Sequence, residues 1–158
     1  MASAEIASFR RRLFDELDRL VRVADALDQG AINWKPPAAG ANSILVLATH
    51  TLGAAEEHIL HRLCGATLDR SRRAEFAATG SGAHLRARAG DVKRRISTAL
   101  DALDPALLNE ERDTPVGKQP MRSWMIHAIA HASEHAGQAE LTRDLYLART
   151  AKTERRAL

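Results

Sequence analysis

The sequence predicts an all-α protein built as a four-helix bundle. Aromatic residues make up only 4% of the 158 residues, whereas Ala, Leu, Arg and Glu, which are strong helix formers, are abundant. Four long segments carry apolar residues at steps of three and four, the repeat of one helical face. We see no internal repeat and no second domain, so residues 1–158 are expected to form one helical domain.

The first helix is expected from about Ala4 to Asp28, with Ser3 as its N-cap and Gly30 as its stop signal. The Pro-rich stretch 33–41 then forms a loop, because it cannot continue a helix. One apolar face runs along this first helix, formed by Ile6, Phe9, Leu13, Leu17, Leu20, Ala24 and Leu27.

The second helix is expected from about Ile44 to Leu63, with Asn42 or Ser43 as its cap and Gly65 closing it. Beyond it we expect a short surface helix over 68–78 and a flexible Gly-rich break over 79–82. A third helix follows from about His84 to Leu103, and a long connection covers 105–120. The fourth helix is expected from about Arg122 to Arg149, with a flexible tail over 150–158.

The charge pattern argues against nucleic acid as a partner. The net charge is only +3, and acidic residues lie near each of the basic runs 10–12, 70–73 and 93–95. One cysteine, Cys64, excludes an internal disulfide and fits a reducing compartment. We find neither a signal peptide nor an apolar run of the ~20 residues that a membrane span needs. These features predict a cytoplasmic protein that binds no membrane.

Three histidines, His127, His131 and His135, follow one another at four-residue intervals on the last helix. They fan across about 80° and rise about 6 Å per step, so an adjacent pair can share a metal ion, whereas the outer pair is about 12 Å apart along the axis. Trp124 and Leu145 on the same face suggest that it points inward. The spacing alone also allows exposed histidines that are satisfied by ordinary hydrogen bonds.

His50 is the candidate partner on the second helix. Residues 44–55 contain no charged side chain over three turns, and a helix segment that is apolar all round is buried all round. A buried histidine needs partners for its ring nitrogens. However, the cleanest apolar stripe lies opposite His50, so His50 could face either a second buried surface or a pocket. His58 and His61, beside charged residues, and His84, beside a Gly-rich loop, are expected to be solvent-exposed.

Together, these residues resemble a known family. The stretches "NWKPPAAGANSILVLATHTLGAAEEHILHRLCG" and "HAIAHASEHAGQAELTRDL" are similar to the DinB-like superfamily, which includes DinB/YfiT-type proteins regarded as metalloenzymes and the mycothiol- and bacillithiol-dependent S-transferases. The resemblance covers most of the chain and implies a four-helix bundle with one long crossover connection. It also implies a divalent metal, zinc or nickel, held by His50, His131 and His135. Ala136 departs from the short polar or charged residue that this family often carries there.

What the resemblance implies for function is a metal-dependent thiol S-transferase, in which the metal activates a small thiol or water. Glu57, Glu134 and Gln138 are the candidates for orienting a ligand or acting as base, although solvated carboxylates are an equally good interpretation of the two Glu residues. His127 is a pocket or second-layer residue or a surface one. Trp34 and Trp124 either line the mouth of the site or plug the bundle end. Gly137 would allow close approach of a backbone or room for a ligand, and Cys64 lies too far from His50 to be a ligand.

A non-catalytic alternative also fits the sequence. The same residues would serve a metal-binding or stress-related bundle without turnover. Apolar excess on the second helix leaves room for a homodimer face in either case. Under the enzyme hypothesis the remaining partner is a small-molecule substrate, with a low-molecular-weight thiol as co-substrate.

Overall fold

The structure is a computed structural model that describes residues 3–114 and 117–157, and the side chains as far as residue 151. In these ranges every long element is a helix, which confirms the predicted all-α class. The helices are α1 (Ala4–Asp25), α2 (Gln29–Asn33), α3 (Ile44–Glu56), a π-helical continuation of α3 (Glu57–Leu63), α4 (Arg72–Phe76), α5 (Gly82–Ala102), a 3₁₀ turn (Pro105–Asn109) and α6 (Arg122–Ala157). One small antiparallel hairpin, β1 (Glu111–Thr114) and β2 (Gly117–Pro120), precedes α6.

Serine side chains cap the starts of α1, α3 and α5, as predicted for the first two. The Oγ of Ser3 accepts a hydrogen bond from the amide of Ile6, and that of Ser43 accepts one from Val46. The end of α1 was predicted less well, because the helix ends three residues early, at Asp25. Asp28 then caps the short α2 through its carboxylate, so Gly30 lies inside a second helix and does not end the first.

The second long helix changes pitch at Glu57, where the hydrogen-bond pattern widens to that of a π-helix. The wider turn rotates the following side chains relative to an α-helical wheel. His58, expected in solvent, lies in this segment and is half-buried, and its Nδ1 is enclosed without a hydrogen-bond partner among the described residues. His61 and His84 are exposed, as predicted.

The C-terminal part of the fold holds two differences from the sequence prediction. The connection 105–120 contains the 3₁₀ turn and the hairpin, in which Glu111 lies opposite Pro120 and Thr114 opposite Gly117. Helix α6 continues to Ala157, past the predicted end at Arg149. The flexible tail expected over 150–158 stays a prediction, because the side chains from 152 onward lie outside the described residues.

The core is enclosed by α1, α3, α5 and α6. Helix α1 packs against α3, α5 and α6; α3 packs against α5 and α6; and the short α4 lies on α3. The inward face of α6 consists of small residues and methionines: Met121, Met125, Ala128, Ala132, Ala136 and Ala139. Leu145, predicted on the inward face, is 46% exposed. No helix within the described ranges is both long enough and apolar enough to cross a membrane.

Candidate metal centre

The structure brings His50, His131 and His135 together where α3 and α6 pack side by side. One ring nitrogen from each of the three side chains lies within 4.8 Å of the others. The ring centroids are 5.1 Å apart for His50 and His131, 5.3 Å for His50 and His135, and 4.4 Å for His131 and His135. The histidine from the uncharged part of α3 therefore meets one adjacent pair from α6.

The positions of these rings follow from the burial of their helices. Every residue of α3 except Thr49 is buried, so His50 is buried as well, with 4% of its surface exposed. From Ala128 to Ala139 the core-facing residues of α6 are alanines, and His131 and His135 each precede one of them by a single position. One residue is a rotation of about 100°, which moves the rings from the core to its edge, where they are half-buried.

This donor set fits a divalent transition metal. An ion with metal–nitrogen distances of about 2.0–2.1 Å would hold tetrahedral ligand atoms about 3.3 Å apart, so rotamer adjustments of about an ångström would close the triad around it. Three nitrogen donors suit zinc, nickel, copper or iron and do not suit magnesium or calcium, which prefer oxygen ligands. Three protein ligands would leave further coordination positions open.

The electrostatic setting keeps the rings of His50 and His131 neutral and able to coordinate. Burial, together with the positive charges that the neighbouring histidines would carry, lowers the pKa of His131 to about 3. Burial also lowers the pKa of His50, although its hydrogen bond to Glu75 acts in the opposite direction. Near neutral pH these two rings are therefore neutral, each with a nitrogen lone pair, and this is the form that binds a metal.

Glu75 and Arg70 form a hydrogen-bonded pair behind His50. The Nδ1 of His50 lies 2.9 Å from Oε2 of Glu75. Arg70 donates to both carboxylate oxygens, at 2.6 Å from Nε to Oε1 and 2.8 Å from Nη2 to Oε2. Burial alone would raise the pKa of Glu75, but the hydrogen bonds from Arg70 and His50 outweigh it, so the pKa is lowered and the carboxylate is ionised. Sequence reasoning missed both residues, which lie in and before α4.

A second hydrogen-bonded chain lies behind His135. The Nδ1 of His135 donates to Oε1 of Gln138 at 2.7 Å, and Nε2 of Gln138 donates to Oε1 of Glu134 at 3.2 Å. Three residues are candidates for orienting a ligand. Of these, Gln138 contacts the ring of His135 directly, and Glu134 contacts Gln138. Glu57 instead accepts a hydrogen bond from Arg62 at 3.0 Å, since the π-helical segment begins at this residue.

The family follows from comparison with known proteins. A family model of the DinB superfamily matches residues 12–139, which is most of the chain. The chain belongs to the DinB superfamily. Among solved structures it is similar to the crystal structure of the conserved protein of locus from Enterococcus faecalis, with a TM-score of 0.73, 16% sequence identity, and coverage of 94% of this chain and 99% of that one. This likeness supports the DinB-like fold. A search of curated proteins finds no match.

The remaining aromatic candidates of this DinB protein are divided between two places. Trp124 stacks on His58 with ring centroids 5.6 Å apart, and His127 meets the edge of His58 at 4.5 Å. Trp124 and His127 also line a cavity of about 240 Å³. The exposed His127 therefore belongs to the wall of a small cavity, and its ring centroid lies 6.3 Å from that of His131. Trp34 lies elsewhere, against Tyr146 at 5.6 Å, which is about 16 Å along α6 from His135.

Two glycines have opposite surroundings. A Cβ added at Gly137 would meet nothing within 4 Å, so no neighbouring backbone explains this residue. A Cβ at Gly53 would lie 2.0 Å from Oε1 of Glu75. The described residues thus provide no close backbone at Gly137, whereas Gly53, one turn after His50, has a close side-chain neighbour. Ala136, the departure from the family pattern, is fully buried in the core, and Cys64 is half-buried with a pKa raised by burial.

Proposed function

We propose that this DinB protein is a divalent-metal-dependent enzyme of the thiol S-transferase type, with the metal held by His50, His131 and His135. The observation that carries the proposal is the convergence of three ring nitrogens within 4.8 Å of one another. Zinc and nickel suit this all-nitrogen set. A bound divalent ion would lower the pKa of a coordinated thiol or water and supply a nucleophile near neutral pH.

The chain's own residues have distinct roles in this proposal. Glu75 and Gln138 accept the Nδ1 hydrogens of His50 and His135, which leaves Nε2 of each ring as the ligand atom. Three neutral ligands do not offset the charge of a divalent ion, so an anionic fourth ligand such as a thiolate is favoured. The cavity lined by Trp124 and His127, one helical turn from His131, supports a small-molecule substrate.

The charge distribution supports the absence of a nucleic-acid partner. Members of each basic run are paired with acids: Arg10 with Asp101, Arg70 with Glu75, Lys93 with Asp18, and Arg95 with Glu56. Paired cations leave a weaker field for phosphates. We also propose a cytoplasmic location, which fits the single cysteine, Cys64.

A non-catalytic, homodimeric metal-binding bundle is the second candidate. Four of the five large apolar side chains that are exposed among the described residues lie on α6: Ile126, Leu141, Leu145 and Leu147. Exposed apolar residues concentrated on one helix favour self-association. A homodimer is compatible with either function.

The first experiment is metal analysis of untagged protein by mass spectrometry, comparing wild type with His131→Ala. We expect about one equivalent of zinc or nickel in the wild type and its loss in the variant, because two histidines hold an ion much less well than three. His84→Ala is the matched control, since it removes an exposed histidine on α5. A wild type that takes up no zinc, nickel or manganese on reloading would reject the metal site.

Turnover separates the two candidates. The assay follows loss of a low-molecular-weight thiol with an aryl chloride, in which an S–C bond forms, chloride leaves and the thiol proton passes to solvent. The enzyme proposal expects metal-dependent turnover that is lost in His50→Ala, His131→Ala and His135→Ala while circular dichroism is retained. Equal activity in all three variants would contradict it, and metal binding without turnover of any thiol would favour the non-catalytic bundle.

A further inference from the structure

Glu75 is buried, and burial normally disfavours the ionised form of a carboxyl group. It is 8% exposed, and its partner His50 is 4% exposed. An ionised carboxylate can only accept hydrogen bonds, so the 2.9 Å contact requires Nδ1 of His50 to carry the hydrogen. The Nε2 atom of the same ring is then unprotonated and has its lone pair available.

Arg70 fixes the carboxylate in this orientation. Its two hydrogen bonds run to the two different oxygens of Glu75, the fork geometry that leaves a carboxylate least free to rotate. The Nη2 atom of Arg70 also lies 3.4 Å from Nδ1 of His50. A guanidinium nitrogen is a donor and cannot accept the ring hydrogen, so the shorter contact with the carboxylate determines the tautomer.

Gly53 is the residue that allows Glu75 to reach the ring. A Cβ at position 53 would lie 2.0 Å from Oε1 and 2.9 Å from Cδ of Glu75, and 3.1 Å from Nε of Arg70. Helix interiors disfavour glycine by about 1 kcal/mol relative to alanine, and the close approach of Glu75 is a physical reason for this one. A displaced carboxylate would have space, because Gly53, Arg70 and Glu75 line a cavity of about 490 Å³.

We propose that Glu75, held by Arg70 and admitted by Gly53, is the positioning residue of the metal centre: it holds His50 in the tautomer whose Nε2 faces His131 and His135. This inference rests on the proposed metal site. A carboxylate bonded to the far nitrogen of a ligand histidine also makes the coordinating nitrogen more basic. The arrangement therefore both orients the ligand and strengthens it.

The alternative is that Glu75 only satisfies a buried histidine and stabilises the fold. Gly53→Ala distinguishes the two, because it moves the carboxylate away while leaving His50, Glu75 and Arg70 chemically intact. Gly90→Ala is the matched control: Gly90 also lies inside a helix, on α5, and a Cβ there would meet nothing within 4 Å. Glu75→Ala removes the acceptor outright, and Glu75→Gln restores a neutral acceptor.

The experiment has two readouts on untagged full-length protein. Zinc affinity is measured by competition with a chromophoric chelator, and the His50 tautomer is measured on metal-free protein by ¹⁵N NMR of the imidazole nitrogens. We expect Gly53→Ala and Glu75→Ala to weaken zinc binding about 10- to 100-fold, Glu75→Gln to weaken it less, and Gly90→Ala to stay within about twofold. We also expect the wild type to show one His50 tautomer, and Gly53→Ala to show a mixture.

Unchanged zinc affinity and an unchanged tautomer in Gly53→Ala, with the fold intact, would overturn the positioning role. A wild type that binds no zinc but loses its single tautomer in Gly53→Ala would reject the metal proposal and still support the orienting hydrogen bond. The failure of one proposal is thus distinguishable from the failure of the other. If Glu75→Ala does not fold, Gly53→Ala and Glu75→Gln carry the test.

Discussion

His58 should make the stability of the metal-free protein depend on pH. Its Nδ1 is enclosed without a partner, and burial, with a contribution from His127, lowers the pKa of His58 to about 4. In the unfolded chain a histidine has a pKa of about 6.5. The unfolded state therefore binds a proton that the folded state does not take up, so the His58 contribution to stability is complete above pH 6.5 and is lost as the pH falls towards 4.

The magnitude follows from the two pKa values. Between pH 7.5 and 5.0, protonation of one histidine stabilises the unfolded state by about 2 kcal/mol, while a group with a pKa near 4 gains almost nothing in the folded state. His58→Phe removes this titration and keeps an aromatic ring against Trp124. We therefore expect the free energy of unfolding of the variant, measured relative to wild type, to increase by about 2 kcal/mol when the pH is lowered from 7.5 to 5.0.

Urea unfolding at the two pH values, in the presence of a chelator, measures this difference. Ile59→Val is the control, because Ile59 is the fully buried neighbour of His58 and the change introduces no titrating group. Its cost of about 0.5–1.5 kcal/mol should be the same at both pH values. If the free energy of unfolding of His58→Phe relative to wild type is the same at both pH values, as expected for Ile59→Val, then the predicted effect of His58 is refuted.

Two further predictions concern α6. Gly137→Ala should raise the free energy of unfolding by about 1 kcal/mol and Tm by about 2–4 °C, since the added methyl group meets nothing within 4 Å. A lower Tm in thermal unfolding would show that the glycine is needed there. Leu145→Glu should convert a homodimer into a 17.3 kDa monomer in light scattering, because it puts a charge on an exposed apolar side chain; a wild type that is already monomeric would make the homodimer prediction wrong.

The parts of the fold that local pattern determines were predictable. Apolar periodicity located the long helices, the serine caps marked the starts of α1 and α3, and the uncharged run around His50 identified the buried histidine. Helix ends were less predictable, as at Asp25, because competing caps such as Asp28 lie within one turn. The π-helical turn at Glu57 has no periodic signature in so short a stretch, and both Glu57 and His58 lie in it.

The hydrogen bonds behind the triad were only partly predictable. Gln138 lies one turn after His135, so helical spacing alone made their contact plausible. Glu75 is 25 residues from His50 in the sequence, and their contact depends on how the α4 segment folds back over α3. The one local signal was Gly53, because a glycine inside a buried helix calls for a reason such as close packing. A short surface helix next to such a glycine is a place to look for a carboxylate.

The alanines of α6 explain why a histidine-rich helix can also be a core helix. Ala128, Ala132 and Ala136 are each at most 2% exposed and recur every four residues. Small side chains let two helix backbones approach closely, and each alanine follows a histidine directly in the sequence. The rings of His131 and His135 thus lie at the edge of the alanine row, where they meet His50 on α3. A larger residue at Ala132 would push α6 outward and separate the ligand atoms, so the packing of the core and the geometry of the metal centre depend on the same row of methyl groups.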